Sequence, residues 1–432
     1  MSAPVLTQPV PAADDLTPGM VVRVDIGPVA HGGHCVARYD GRVMFVRHAL
    51  PGEVALVRIT EAKAGSFGRA DAVEILQADP ERVDAPCAHF HPGGCGGCDF
   101  QHASPDLQRR LKAEVLAEQL HRLAKIDRPV TVEALPGDGF GWRTRVRWAL
   151  DPDGRMGPRS YRSHRVQAVN LSAPCLIAAP GLNELAATLD GPPGGRPTAP
   201  TGPARRPVRR APAGRHRRPE LPEVTLVRTQ DGERLAVWAG QPGAEISEHV
   251  ADRDFVVAAD GFWQVHPAAA QTLVDAVLTA LDGVDLVGGT GWDLYGGVGV
   301  FAELLADAVG ITGSVVSVEG DARATALAQR NLARHPQARA VHSSVEDALA
   351  GLGDEVDVIV LDPPRSGAGR KVCAELAARR PAVIVYVACD PAALARDAAA
   401  LAEAGYVMTD LRAFDAFPQT HHLECVARFA PA

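Results

Sequence analysis

Two side chains near the carboxyl end of this 432-residue chain have the types and the setting to do chemistry together. An apolar, strand-like run over 382–388 delivers Cys389-Asp390-Pro391, and Phe417-Pro418-Gln419-Thr420-His421-His422-Leu423-Glu424 follows further on. A thiol at the carboxyl end of a buried strand sits at the rim of an α/β sheet, where ligands bind. A carboxylate that returns to the same rim handles a proton that the thiol cannot. The pair suits an electron-poor ring: the sulfur adds to it, and the acid later removes a hydrogen. Taken alone, Cys389 reads as a buried core cysteine. The residues upstream change that reading.

Asp293-Leu294-Tyr295-Gly296-Gly297-Val298-Gly299 closes an apolar run and opens a helix-like segment over 300–309. Glycines there let backbone approach a ligand closely beside a helix N-terminus. A strand over 315–318 ends in Glu319, placed to accept hydrogen bonds from ribose hydroxyls. Another, over 357–361, ends in Asp362-Pro363-Pro364-Arg365. Gly297-x-Gly299 by itself also fits a dinucleotide site, but the third glycine of that fingerprint is missing. The ordered series resembles a class I S-adenosylmethionine methyltransferase.

Within that class, Phe262-Trp263-Gln264-Val265-His266-Pro267, Asp293-Leu294-Tyr295, Asp362-Pro363-Pro364-Arg365, Cys389-Asp390-Pro391 and Phe417-Pro418…His422-x-Glu424 stand in the order seen in RNA uracil-C5 methyltransferases. The resemblance covers nearly the whole chain apart from an arginine-rich insert. It implies that Cys389 attacks uracil C6, that C5 then takes a methyl group from S-adenosylmethionine, and that Glu424 removes the C5 proton. It also implies cofactor or base contacts for Gln264, Tyr295, Gly297, Gly299, Glu319, Ser344 and Asp362. Each has a plainer alternative: Gln264 a turn residue, Tyr295 a core aromatic, Glu319 a solvated strand end, Asp362 a helix cap.

Four positions depart from the family pattern. Asp390 stands where asparagine is usual, and an ionised carboxylate beside the sulfur would raise the thiol pKa unless it points elsewhere. Gly296 replaces a cysteine, which is expected to be harmless in a turn. Val300 replaces a polar residue, leaving only its backbone for the cofactor. Ser344 is the expected adenine bracket in place of a stronger Asp or Asn.

A second signal is Cys87-Ala-His-Phe-His-Pro-Gly-Gly-Cys95-Gly-Gly-Cys98, with Cys175 far downstream. Disulfides would be rare in a chain that reads as cytoplasmic. Tetrahedral zinc is a rival, although only Cys95 and Cys98 form a paired knuckle. The run resembles the segment of ribosomal uracil methyltransferases whose four cysteines hold a [4Fe-4S] cluster, which makes Cys87, Cys95, Cys98 and Cys175 the expected ligands. Its expected role is structural and RNA-positioning, since methyl transfer needs no electron. Cys35, Cys373 and Cys425 read as small hydrophobes.

The elements that must carry these residues divide the chain. Residues 1–15 lack the basic start and long apolar core of a secretory signal and read as a disordered leader. Five short strands over 16–77, with Asp40-Gly41 as a hairpin turn, fit an OB-like barrel and resemble a TRAM domain. Arg38, Arg42, Arg47 and His48 are its candidate phosphate contacts, or else a solvated face. Residues 78–243 form a central α+β region that would bind the cluster. There Arg143, Arg145 and Arg147 alternate on one strand face, as a phosphate track or a charged edge strand. Within it, 191–222 is rich in proline, glycine and arginine and reads as a disordered insert. From 244 to 432, strands alternate with helices, which predicts a mostly parallel, Rossmann-like sheet covered on both faces.

The net charge of −8 argues against a protein that coats nucleic acid but leaves room for a site-directed RNA enzyme. No apolar stretch is long enough for a membrane span. The expected partner is therefore RNA, ribosomal rather than transfer RNA because of the barrel and cluster modules, acted on by a monomer. Three other readings compete: methylation of a tRNA uridine, adenine amino-group or cytosine C5 methylation, and an RNA-binding or chaperone protein with a weakened site. In the adenine case Arg365 stands where a base-stacking aromatic belongs. Cytosine chemistry matches the Phe417–Glu424 segment less well, and retention of both Cys389 and Glu424 disfavours the binding protein.

Overall fold

The computed structural model describes residue 12 and residues 15–62, 67–192 and 221–432. The expected leader, save for Ala12 and Asp15, and most of the expected arginine-rich insert lie outside the described residues.

Alternation builds the first unit. In β1 (Val21–Ala30) Val22, Val24 and Ile26 are buried while their neighbours face outward. With β2 (His34–Tyr39), β3 (Arg42–Arg47), β4 (Val54–Ala62) and β5 (Gly68–Gln77) it closes a barrel in the order β1-β2-β3-β5-β4. Asp40 and Gly41 turn the β2–β3 hairpin with φ of 46° and 80°, the positive values a tight two-residue turn needs. Arg47 and His48, expected to face phosphates, are instead buried. The Arg47 guanidinium lies 3.7 Å from the Tyr161 ring and donates to the Cys98 carbonyl.

Helix α1 (Pro105–Gln119) follows the cysteine loop, capped by the Ser104 hydroxyl and started by proline. It runs on as one wide turn over Leu120–Ala124, closed by Lys125 at φ 59°. Leu107, Leu111 and Val115 enter the barrel core, whereas Leu116 and Leu120 enter the core of the C-terminal sheet. One helix therefore seals two cores. After it come β6 (Val132–Ala134), β7 (Arg145–Leu150), β8 (Met156–Gly157), α2 (Leu182–Ala187), β9 (Glu223–Arg228), β10 (Arg234–Trp238) and the hairpin β11 (Glu245–Val250) with β12 (Arg253–Ala258). The order β10-β9-β7-β8 places β7 inside its sheet, not at an edge. Arg145 is buried and bonded to Glu248 at 2.8 Å, so the expected three-arginine phosphate face does not form.

The C-terminal unit comprises α3 (Ala269–Leu281), β13 (Thr290–Leu294), α4 (Val300–Val309), β14 (Ser314–Glu319), α5 (Ala322–Asn331), β15 (Ala338–His342), α6 (Val345–Ala348), β16 (Val358–Leu361), α7 (Arg370–Ala378), β17 (Val383–Ala388), α8 (Pro391–Glu403), β18 (Tyr406–Asp415) and β19 (Glu424–Pro431). Its sheet runs β15-β14-β13-β16-β17-β19-β18-β6, so a strand from the segment assigned to the central region completes it. Strands β13 to β17 are parallel, while β19 runs antiparallel between β17 and β18. Side chains alternate between two apolar layers. Val383, Val385 and Val387 pack with Leu273 and Leu305 on one face, and Ile384, Tyr386 and Ala388 with Leu376 and Leu394 on the other. Helices thus cover both faces, as the strand–helix alternation predicts. Among the described residues no helix is long and apolar enough to cross a membrane.

The Lys112 ammonium of α1 is buried against Asp415 at 2.5 Å and also donates to the Phe417 carbonyl at 3.1 Å. A buried ion left without its partner is strongly destabilising. Lys112→Met should lower stability by about 3–5 kcal/mol, read as an earlier urea midpoint, and adding Asp415→Leu should recover most of the loss.

Candidate active site

Strand β17 is buried along its whole length and releases the chain at Cys389, which is half-buried at the rim. Asp390 then caps α8, its carboxylate accepting the Ala393 amide at 2.8 Å, with Pro391 in the first turn. Glu424 opens β19 and is only 4% exposed. The last paired rung between these strands is Ala388↔Cys425, and one step further sets Cys389 opposite Glu424. Strand alternation sends Cys425 the other way, into the core with Leu423. Cys35 and Cys373 are buried core residues too, as expected.

The segment between β18 and β19 that carries the acid is held from outside the sheet. Gln419 sits at φ 69°, and its carbonyl accepts the Asp99 and Phe100 amides at 2.8 and 3.0 Å. Its side chain accepts from the Gln108 amide group at 3.0 Å, and its own N–H donates back to Gln108 at 2.9 Å. The His421 imidazole bonds Asp99 at 2.6 Å. The cysteine loop and α1 therefore set the position of Glu424.

Electrostatics at the rim is dominated by acids. Burial pushes the Cys389 thiol up to about 12, with Glu424 and Asp362 adding to the push and Arg365 opposing it; Asp390 contributes least. Burial and the neighbouring Asp362 hold Glu424 well above the usual carboxylate range, again against Arg365. Burial and Asp293 lift Asp362 to about 7. Asp293 itself is fully buried and also rises to about 7, through burial, despite bonds from the Ser317 hydroxyl (3.0 Å) and the Ala302 amide (3.1 Å). Its other oxygen has no partner among the described residues. One guanidinium thus faces a crowd of carboxyls.

The glycine turn sits beside this group. Gly297 and Gly299 have φ of 55° and 89°, a region that suits glycine, and Gly299 opens α4. The Glu319 carboxylate accepts the Gly297 amide at 3.0 Å and the Asp321 amide at 2.7 Å. At Gly296 a Cβ would stand 2.1 Å from the Ser317 hydroxyl and 2.5 Å from Asp293, so a larger side chain has no room while Asp293 is held this way. Tyr295 is half-buried at φ 60° and packs against the sheet core.

Two expected residues stand apart. Gln264 lies half-buried in the turn before α3 and is joined to the other site residues by no hydrogen bond among the described residues. Ser344 caps α6, its hydroxyl donating to the Asp347 carboxylate at 2.8 Å and accepting the Asp347 amide at 3.1 Å. That hydroxyl is engaged, and reads as a cap first. Asp293 and Arg365 lie in the quoted motifs but were not among the expected site residues. Sequence reasoning also missed Asp397. It accepts the Ala368 amide and the Tyr386 hydroxyl at 2.7 and 2.6 Å and so fixes the loop after Asp362.

Cys87, Cys95, Cys98 and Cys175 come together from two distant segments, lining one cavity of about 610 Å³ with Arg143 and Arg147 on its wall. Among the described residues, however, no group of three or more His, Cys, Asp or Glu side chains is gathered closely enough to hold a metal ion. The four expected ligands thus share a cavity without forming a closed ligand set among the described residues.

Comparison with known proteins bears on this geometry. A TRAM domain family matches residues 15–73, a methyltransferase small domain family 268–382, and the tRNA (Uracil-5-)-methyltransferase family 352–429. The chain is 46% identical to an RNA methyltransferase of Streptomyces avermitilis, over 96% of this chain and 99% of that one. It is 33% identical to the 23S rRNA (uracil(1939)-C(5))-methyltransferase of Thiobacillus denitrificans, over 94% of this chain and 99% of that one. The chain belongs to the RNA uracil-C5 methyltransferase family. Its members transfer a methyl group from S-adenosylmethionine to RNA. A solved structure of the Pyrococcus abyssi tRNA (uracil-54, C5)-methyltransferase with S-adenosyl-L-homocysteine shares the fold, with a TM-score of 0.65 at 21% identity over 94% of this chain and 99% of that one.

The buried carboxyl of Asp293 makes a pH prediction for this methyltransferase. Its folded pKa is raised from 3.8 to about 7, so the native state holds the proton more tightly than the unfolded chain. Stability from this group is complete below the lower value and is lost as pH rises through the higher. From about pH 4 to pH 7 the unliganded wild type should lose on the order of a few kcal/mol relative to Asp293→Asn, measured as diverging denaturation midpoints.

Proposed function

We propose that this enzyme methylates C5 of a uridine in ribosomal RNA through a covalent bond between Cys389 and uracil C6, with Glu424 removing the C5 proton. The observation that carries the reading is the ladder between β17 and β19, whose next rung sets the thiol opposite the carboxyl. Uracil C5 is a poor nucleophile, and addition of sulfur at C6 makes C5 part of an electron-rich enolate, splitting one hard step into two easier ones. S-adenosylmethionine, when bound, supplies an electrophilic methyl group to that carbon.

The residues at hand suit that donor. Glu319 sits at a strand end beside the glycine turn. The space next to Gly297 is open, since a Cβ there would meet no atom within 4 Å. A pocket rich in carboxyls also favours a sulfonium cation. Thiolate and carboxylate oppose each other's charge at rest. Once the sulfur is bonded to carbon its charge is gone, and Glu424 can ionise and take the C5 proton without an anionic neighbour. The sulfur then leaves and restores the ring.

RNA tritiated at uridine C5 should release tritium when incubated with this protein and S-adenosylmethionine. Cys389→Ala should abolish release. Glu424→Gln should stall after methyl transfer and accumulate a protein–RNA adduct on denaturing gels. Release by Cys389→Ala at the wild-type rate would end this reading. What supports ribosomal over transfer RNA is the 33% identity to the ribosomal enzyme along nearly the full chain. Loss of 5-methyluridine from transfer RNA, and not from ribosomal RNA, in cells lacking the protein would reverse that choice.

We also propose that the four-cysteine cavity holds a [4Fe-4S] cluster. Four cysteines bordering one cavity match the number of thiolates such a cluster takes. Arg143 lies near enough to feel the charge of Cys175, Cys98 and Cys95. Protein purified without oxygen should be brown and contain iron and sulfide, whereas colourless protein with one bound zinc would overturn the assignment.

A further inference from the structure

The turn between β1 and β2, His31-Gly32-Gly33, is where the N-terminal barrel meets the catalytic rim. Gly33 lies at φ +77°, and a Cβ on it would stand 2.8 Å from the His421 Cβ and 3.1 Å from the Asp99 Cβ. Only glycine permits so close an approach. The approach delivers His31, whose Nε2 lies 2.8 Å from Oδ2 of Asp390, 359 positions away in sequence. The other oxygen of Asp390 accepts the Ala393 amide at the start of α8. His31, Cys389 and Asp390 border the same small cavity.

An anion directly after the nucleophile opposes thiolate formation. A cation bonded to that anion leaves a dipole whose field at the sulfur is much weaker. The surroundings favour such a pair. Burial pushes Asp390 upward, but the bonds from His31 and Ala393 carry it below its ordinary range. The bond to Asp390 raises the His31 imidazole against the opposing effect of burial. The other charged groups facing His31 are Arg396 from α8, which lowers it, and Glu118 from α1, which raises it. Those facing Cys389 besides Asp390 are Glu424, Asp362 and Arg365.

We propose that His31 of the barrel is a positioning residue for the methylation reaction: as imidazolium it neutralises Asp390, so that the carboxylate following Cys389 does not oppose formation of the nucleophilic thiolate. The proposal rests on Cys389 being the nucleophile. It gives the barrel a part in the chemistry in addition to holding RNA.

The test uses the full chain and two readouts. Alkylation of Cys389 by iodoacetamide is followed by mass spectrometry of its peptide between about pH 6 and pH 9, and tritium release is followed over the same range. His31→Ala and His31→Gln should slow alkylation about threefold at neutral pH and displace both profiles upward, because one uncompensated charge then faces the sulfur. Gln keeps a hydrogen bond to Asp390 without the charge, so equal losses in the two variants point to charge. Asp390→Asn retains the helix cap and needs no cation. Adding it to His31→Ala should therefore restore the rate to within about twofold of Asp390→Asn alone. Unchanged profiles in the His31 variants would overturn the proposal. So would a His31→Ala defect that Asp390→Asn fails to rescue, the mark of a barrel that has merely come loose. If Cys389→Ala still released tritium, the nucleophile assignment would fall whatever His31 did. An inactive Cys389→Ala beside unaffected His31 variants would remove only the positioning role.

Discussion

The site depends on one reversal of direction. In a wholly parallel sheet the ligand rim receives only the carboxyl ends of strands, and a residue that opens a strand lies at the opposite edge. Strand β19 runs antiparallel between β17 and β18, so its first residue arrives at the rim where β17 ends. Neighbouring strands lie about 5 Å apart, a spacing that suits the proposed reaction, in which two groups approach adjacent carbons of one base. The hydrogen-bond ladder supplies that spacing without any long flexible side chain. What remains is to hold the segment leading into β19, and this falls to Gln108 and Lys112 of α1 and to Asp99 of the cysteine loop.

Around this frame the protein keeps its charges in mutual opposition. Asp293, Asp362 and Glu424 all rise above the carboxylate range, chiefly through burial; Asp293 adds to the rise of Asp362 and Asp362 to that of Glu424, which Arg365 opposes. A positively charged methyl donor relieves that tension when it enters, and a neutral product of the donor does not. In the proposed mechanism, the surroundings that disfavour a resting thiolate would favour binding the donor before the sulfur reacts. The tight packing of Gly296 against Ser317 and Asp293 is part of this arrangement, since it holds a buried acid behind the glycine turn.

The candidate reacting groups are legible in the sequence because their signals are local. A run of β-branched residues ending in cysteine, a glycine turn opening a helix and a carboxylate at a strand end each declare themselves within a few positions. The barrel strands and both turns of the glycine motif followed from alternation and positive-φ residues. What escaped were contacts between residues far apart in the chain. Nothing near Lys112 announces Asp415, nothing near Val132 announces an edge strand of the C-terminal sheet, and Arg145 looks like surface until Glu248 is placed beside it. The Asp390 departure is visible in the sequence, but its partner His31 lies 359 positions away along the chain. The four cysteines that the sequence suggests as ligands border one cavity, but among the described residues they do not form a group that could hold a metal ion.

Because α1 and β6 come from the first third of the chain yet belong to a sheet completed by its last strands, the order of synthesis matters. While the ribosome is still extending the chain, the barrel can close over Leu107, Leu111 and Val115, but Leu116 and Leu120 have no α8 to pack against, and Val132 no β18 to pair with, until those late elements have emerged. The nascent protein must carry an apolar helix end and an unpaired strand through most of translation, the kind of exposed surface that chaperones cover. Maturation therefore waits on the final residues, and a chain stopped short of α8 would leave the ribosome with a finished barrel and no partner for the far end of its helix.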